Sequence, residues 1–238
     1  MVFPNPFHLN YNTIIALNVS YSSIYNGGIK VNTEMSPQEF YGEKLIYLEG
    51  AIIELTSRLD IIRKFKIANS DRDPIEHYTT RIKSVESMKE KLRKHGMPET
   101  VDSVIGNIFD AAGIRVICTY IDDVYTVANM LMSQSDITVI RVKDYIKNPK
   151  ESGYRSFHII VRLPLHVGAD TVDVYAEIQL RTMSMDFWAS LDHKLKYKQD
   201  VPNAKLIARE LRRFADELAS TEMNFQAIRD MIDGNTED

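Results

Sequence analysis

Apolar positions along the chain follow two rhythms. Leu45, Leu48, Ile52, Leu55, Leu59 and Ile62 alternate by three and four, which predicts one long amphipathic helix. Ser36-Pro37 followed by Glu39 reads as a helix N-terminus just ahead of it. The far end repeats the rhythm at Ile207, Leu211, Phe214, Leu218, Thr221, Phe225, Ile228 and Ile232, broken only by Thr221. Such helices can pack on a central domain or also build a subunit interface, and stripes this short do not decide between the two. Between them, Gly113 to Ile121, ITVIRVKDYI, SFHIIVRLPL and VDVYAEIQLRT read as strands. Asp122 to Met132 returns to helical spacing, and the segment from Pro74 to about Lys94 reads as a basic helix stopped by His95-Gly96. The last strand has a strict period of two. Val172, Val174, Ala176, Ile178 and Leu180 face one way, and Asp173, Tyr175, Glu177, Gln179 and Arg181 face the other. Strands interleaved with helices predict an α/β or α+β sheet domain.

The chain has 238 residues, 44% hydrophobic and 26% charged, with no long apolar run, so it is globular and large enough for a full core. One domain over residues 36–238, with helical extensions, is expected. Residues 1–35 are rich in Asn, Tyr and Ser, lack periodicity and make a poor signal peptide. They are expected to be a disordered extension or a start-site artefact, with the true start at Val31 or Met35; native peptides from residues 1–30 in mass spectra would overturn this. Cys118 is the single cysteine, which excludes an intramolecular disulfide and a thiolate-cluster zinc site and makes the cytoplasm the default compartment.

Net charge is −4, against a surface that coats nucleic acid or anionic membrane throughout. Yet residues 81–96 carry six Lys/Arg against two acids and residues 141–155 five against two, leaving −11 for the remainder. Two basic segments on an acidic chain suggest a pocket for a compact polyanion such as a nucleotide phosphate. On a helix, Lys83, Ser87 and Lys91 would share one face, with Arg81 near its start, and suit a polyphosphate; a solvated basic face is the plainer reading. Asp110 precedes a small-residue turn, and Arg115 lies in an apolar strand where a lone charge is expensive. A hard cation bound with phosphates uses one or two carboxylates, a role open to Asp110, which could instead cap a turn. Glu177, Gln179 and Arg181 present acid, amide and guanidinium side by side, or merely an exposed polar face. The loop KDYIKNPKESGYRSFH combines Lys143, Lys147, Lys150, Gly153, Tyr154, Arg155 and His158: cations for phosphate, a glycine for close approach, and a Tyr beside an Arg to stack on a base. It lacks the Walker A pattern.

Taken in order, RIKSVESMKEKL, DAAGIRVIC, YIKNPKESGYRSFH and EIQLRTMSMDFWASLDHKLKY resemble the synthetase domain of the RelA/SpoT family, in the size range of its small alarmone synthetases. The resemblance runs from about Pro74 to Lys198. It implies an α+β, nucleotidyltransferase-like fold, a mixed sheet flanked by helices, and transfer of pyrophosphate from ATP to the 3′-hydroxyl of GTP or GDP, giving (p)ppGpp and AMP. Carried over residue by residue, Arg81 and Arg115 would sandwich adenine while Lys83, Ser87 and Lys91 hold the ATP phosphates. Asp110 and Glu177 would bind Mg²⁺, and Glu177 would activate the attacking hydroxyl. Tyr154 would stack on guanine, Lys143, Lys150 and His158 would surround the acceptor phosphates, and Gln179, Arg181 and Asp186 would lie near the acceptor. A homotetramer through the terminal helices is also implied. The sequence contains no His-Asp dipeptide, which fits a synthetase without a hydrolase. His77 stands where one branch of small synthetases has Phe in P-I-E-F, so the chain resembles the other, RelP-like branch, which speaks against product activation. The alternatives are a nucleotidyltransferase, separable only by its product; a catalytically silent nucleotide- or RNA-binding module, disfavoured by two acids in a phosphate pocket; and a helical scaffold, which leaves the Tyr154 loop unexplained.

Overall fold

The computed structural model describes residues 35–70, 72–196 and 203–234. Met35 apart, the expected N-terminal extension lies outside the described residues. In chain order the elements are α1 (Pro37–Tyr41), α2 (Lys44–Ser70), β1 (Ile75–Ile82), α3 (Val85–Lys94), α4 (Val101–Val104), β2 (Ala112–Cys118), α5 (Ile121–Met132), β3 (Thr138–Asp144), β4 (Phe157–Val167), β5 (Asp170–Thr182), α6 (Met183–Lys196) and α7 (Ala204–Ile232). Ser36 and Glu39 close a reciprocal capping box at the start of α1. Gly42, at φ 53, then ends that helix in the left-handed region, so α2 starts separately.

Five strands form one mixed sheet in the order β1-β2-β5-β4-β3. β2 and β5 run parallel, and the other neighbours are antiparallel. The alternation read in β5 holds: Val174, Ala176, Ile178 and Leu180 are buried, joined by Ile114 and Val116 of β2 and Ile159, Val161 and Leu163 of β4. That face packs against Leu45, Leu48, Leu55, Leu59 and Ile62 of α2 and Val124, Val127, Ala128 and Leu131 of α5. With helices covering one face, the other is left to polar side chains.

The segment from Pro74 to Lys94 departs from expectation. Ile75–Ile82 is an edge strand paired with β2, and the helix begins only at Val85, capped by Ser84. Tyr78, Thr79 and Thr80 favour the pleated backbone over a helix, and the Ser84 side chain competes for the backbone in the way that starts one. Arg81 and Lys83 therefore do not share a helical face with Ser87 and Lys91. On α7, Phe214, Phe225, Ile228 and Ile232 of the expected stripe are exposed, whereas Ala215 is buried. The helix is seated by that small residue and by the Trp188 indole, whose Nε1 donates to the Leu211 carbonyl at 2.8 Å. Cys118 is buried and unpaired by disulfide, and burial pushes its thiol pKa up, so it is an unreactive core residue.

Candidate active site

Sheet register assembles the polar face. Across β1, β2, β5, β4 and β3, one row reads Thr79, Arg115, Gln179, His158 and Lys143, and the next Arg81, Gly113, Glu177, Ile160 and Arg141. Residues two apart on each strand face the same way, so both rows stand on one surface. Gly113 matters because the Arg81 side chain crosses it: a Cβ at Gly113 would lie 3.4 Å from both Cγ and Nε of Arg81. The missing side chain lets Arg81 lie toward Glu177, whose carboxylate feels its charge. A recess of about 120 Å³ between Thr79, Thr80, Arg81, Arg115, Glu177 and Gln179 opens on this side.

Although Arg81 belongs to β1 and Lys83 to the short link after it, the fold still brings Lys83 to Lys91. The buried Tyr41 hydroxyl donates to the Lys83 carbonyl at 2.8 Å, and the Lys83 N–H donates to the Ala111 carbonyl at 2.9 Å. Lys83 Nζ then stands 3.0 Å from one Asp110 oxygen and Lys91 Nζ 2.7 Å from the other. Both carboxylate oxygens of Asp110 are thus ion-paired, one to each lysine. Ser87 sits at the start of α3, its hydroxyl accepting from Ser84 Oγ at 3.0 Å. Asp110 and Glu177 line one cleft of about 240 Å³ together with Lys91, Lys143 and His158. Among the described residues no group of three or more His, Cys, Asp and Glu could form a metal cage. Two carboxylates lining one cleft, with lysines beside them for phosphate, fit a hard cation that completes its shell with phosphate oxygens.

Glu177 is the centre of a continuous network. Its Oε1 lies 3.1 Å from His158 Nδ1, and its Oε2 accepts from Gln179 Nε2 at 2.8 Å. Burial works to raise its pKa, but His158, Gln179 and Arg81 outweigh burial and hold it at about 2. His158 Nε2 is 2.8 Å from the Tyr154 hydroxyl, which accepts from Arg181 at 2.7 Å. Arg181 also donates to Gln179 Oε1 and to Asp186 Oδ1, at 3.2 and 2.9 Å. Asp186 is shared: Arg115 lies 3.4 Å from the same oxygen. The Arg115 Nε is buried with no hydrogen-bond partner, and burial, then the Arg181 charge, lowers its pKa. Arg115 is thus paired through Asp186 and lines the recess beside Arg81, so the charge in an apolar strand is not left alone.

Lys150 takes a different position from the cleft wall, with Nζ 4.7 Å from the ring centroids of both Tyr145 and Tyr154. Arg155 corrects the sequence reading. Rather than standing beside Tyr154 to stack on a base, its guanidinium turns to α7 and pairs with Asp216 at 2.8 Å. Lys147 lies over the Tyr125 ring, 5.1 Å from its centroid. The cleft also contains His95, Asn107, Phe109 and Arg141, which sequence reasoning passed over. Arg141 sits two residues from Lys143 on β3, and that spacing was the available signal; Phe109 packs on Tyr175 with ring centroids 4.5 Å apart, a contact no local pattern shows.

Residues 80–201 match the model of the region found in RelA/SpoT proteins. The chain belongs to the RelA/SpoT family. The GTP pyrophosphokinase YwaC of Bacillus subtilis is 40% identical over 181 residues, covering 75% of this chain and 85% of that protein. A second relative in this family, GTP pyrophosphokinase YjbM of the same organism, is 36% identical over 185 residues, covering 78% and 86%. Among solved structures, small alarmone synthetase 1 of Bacillus subtilis bound to its product pppGpp superposes with a TM-score of 0.71 at 34% identity, covering 82% of this chain and 97% of that one. The mixed five-stranded sheet flanked by helices is thus a RelA/SpoT-family α+β fold.

Proposed function

We propose that this chain transfers the β,γ-pyrophosphate of ATP to the 3′-hydroxyl of GTP or GDP, giving (p)ppGpp and AMP. The observation that carries the reading is the pair Asp110 and Glu177 in one cleft, with cationic groups arriving from both sides. On the donor side, Arg81 and Arg115 would grip adenine, and Lys83, Ser87 and Lys91 the ATP phosphates. On the acceptor side, Tyr154 would stack on guanine, Lys143, Lys150 and His158 would meet its phosphates, and Gln179, Arg181 and Asp186 would order the row beneath.

In-line attack on the β-phosphorus spreads negative charge over the transferring oxygens, so fixed cations favour the transition state over the ground state. Mg²⁺, held by Asp110 and Glu177, would supply further neutralisation of that charge and lower the acidity barrier of the attacking hydroxyl. Glu177 would accept the 3′-hydroxyl proton, and the donor from Gln179 and the contact with His158 fix the orientation of its carboxylate. Lys83 and Lys91 would turn from Asp110 to the phosphates.

The terminal helices support a homotetramer: Ile46, Ile53, Ile61 and Phe65 of α2 and Phe225, Ile228 and Ile232 of α7 expose apolar surface. No described helix is long and apolar enough to cross a membrane, and the reading places the enzyme in the cytoplasm. Anion-exchange separation of the products from ATP, GDP and Mg²⁺ tests the chemistry. Equal yields of AMP and a guanosine nucleotide with two added phosphates are expected, absent in Glu177→Gln; released pyrophosphate with a nucleotidyl product, or no product, would refute it.

A further inference from the structure

The loop between β3 and β4 carries Lys150 and Tyr154, yet its backbone is fastened to α7, a helix remote in sequence and beyond the segment that matches the family. Gly153 adopts φ +92, and a Cβ there would stand 2.6 Å from Ala215 Cβ and 3.1 Å from Arg212 Cδ. Only a bare Cα permits that approach. Arg212 Nη1 donates to the carbonyls of Lys150 and Glu151 at 3.3 and 3.0 Å, and its Nε to Asp216 at 3.2 Å. From the loop, Arg155 donates to the Ala215 carbonyl at 3.0 Å and to the other Asp216 oxygen at 2.8 Å. Asp216 is therefore gripped by one arginine from each side of the contact.

Tyr145 N–H to the Ser156 carbonyl and Asn148 N–H to the Asp144 carbonyl, at 2.9 and 3.1 Å, tie the base of the loop. The stretch from Lys150 to Tyr154 is held within the loop by only two backbone bonds, Gly153 N–H to the Lys150 carbonyl and Lys150 N–H to the Tyr154 carbonyl, at 2.8 and 3.2 Å. Ordering such a segment opposes binding by roughly 1–2 kcal/mol per residue, so whatever fixes its backbone beforehand favours the ligand it serves. What α7 grips is the peptide on either side of Glu151, directly after Lys150, and the turn just before Tyr154. The Tyr154 ring, held at the other end by His158 and Arg181, is thereby set from beneath.

We propose that α7 is the positioning element of the acceptor site, and that Arg212 and Asp216 are positioning residues that set guanine-nucleotide affinity without touching the nucleotide. This rests on the reading that Tyr154 receives guanine. Because the polar contacts that α7 makes with the loop, with Asp122 of α5 and with Trp188 of α6 involve none of the residues assigned to ATP, loss of its grip on the loop is expected to act on one substrate only. Each lost charge-assisted hydrogen bond weakens a held group appreciably, and releasing two carbonyls should weaken GDP binding about ten-fold.

The test uses the full chain and the variants Arg212→Ala, Arg212→Lys and Asp216→Asn. Direct titration gives the Kd of GDP and of a non-hydrolysable ATP analogue, and steady-state rates give kcat. Trp188, the single tryptophan, reports by its emission whether α7 stays seated, since its indole binds the Leu211 carbonyl next to Arg212. The proposal expects GDP Kd to rise about ten-fold in Arg212→Ala, with ATP-analogue Kd and saturated kcat within about two-fold and emission unchanged. Arg212→Lys should recover part of the affinity, because an ammonium can still serve one carbonyl. Unchanged GDP Kd in both Arg212→Ala and Asp216→Asn overturns the proposal, as does an equal loss for both nucleotides. If Arg212→Ala shifts the emission, Asp216→Asn decides by the same criteria. Failure of pyrophosphate transfer in the unsubstituted chain would refute the proposed function separately, since GDP binding is read without turnover.

Discussion

Asp110→Asn gives a sign that intuition about metal ligands would reverse. Two lysines assigned to the ATP phosphates are closed on this carboxylate, at 3.0 and 2.7 Å, in a site where Asp110 and Lys83 are only 16 and 17% exposed. At an effective dielectric constant near 20, each contact is worth about 5–6 kcal/mol before solvation is counted. Restored hydration on separation cancels most of that, leaving about 1 kcal/mol net per pair. Metal-free ATP must draw both lysines away from Asp110 and bring its phosphates near a carboxylate. Replacing that carboxylate by the near-isosteric amide removes both penalties, so affinity without metal should rise about ten-fold. Calorimetric titration of a non-hydrolysable ATP analogue, in EDTA and in Mg²⁺, reads the effect. The variant should bind more tightly than the natural chain in EDTA and lose that advantage in Mg²⁺, where the carboxylate would serve the cation. Equal or weaker binding by Asp110→Asn in EDTA would refute the argument, because the lysines would then not be restrained by Asp110.

Three further outcomes follow from the same geometry. Glu177→Gln should lower kcat by about 10²–10⁴ while the dissociation constants of GDP and the ATP analogue, read by titration, change little. Tyr154→Ala removes the stacking face and should weaken GDP binding by about 1–3 kcal/mol, leaving the ATP analogue unaffected in the same titration. Glu177, held at about 2 against its ordinary 4.5, contributes stability that is present above pH 4.5 and lost as pH falls toward 2. The contribution at neutral pH is on the order of 3 kcal/mol, so metal-free melting curves of the natural chain and Glu177→Gln should converge as pH drops from 6 to 3; a gap independent of pH would contradict it.

Much of the site was legible because strand periodicity is short-ranged. The alternation along β5 assigned Glu177, Gln179 and Arg181 to one face without knowledge of the neighbouring strands, and the burial of Val174, Ala176, Ile178 and Leu180 bears that out. The two terminal helices were legible for the same reason, although Gly42 divides the first from its capping box. β1 was hidden. Pro74 and the dense charge after Arg81 mimic a helix start and mask the short β-favouring run Tyr78-Thr79-Thr80, whose pairing with β2 makes it a strand. Arg155 shows the limit more sharply: local sequence placed it beside Tyr154, but its partners, Ala215 and Asp216, are some sixty residues away. The row from Arg81 across Gly113 to Glu177 likewise depends on register, which no single strand encodes.

Incubation of the purified chain with GDP, Mg²⁺ and ATP labelled at its β-phosphate tests the central claim most directly. Pyrophosphate transfer predicts label on the guanosine product in amounts equal to the AMP formed, and none with Glu177→Gln. Label retained in ATP, or released as free pyrophosphate beside an adenylylated product, would contradict it.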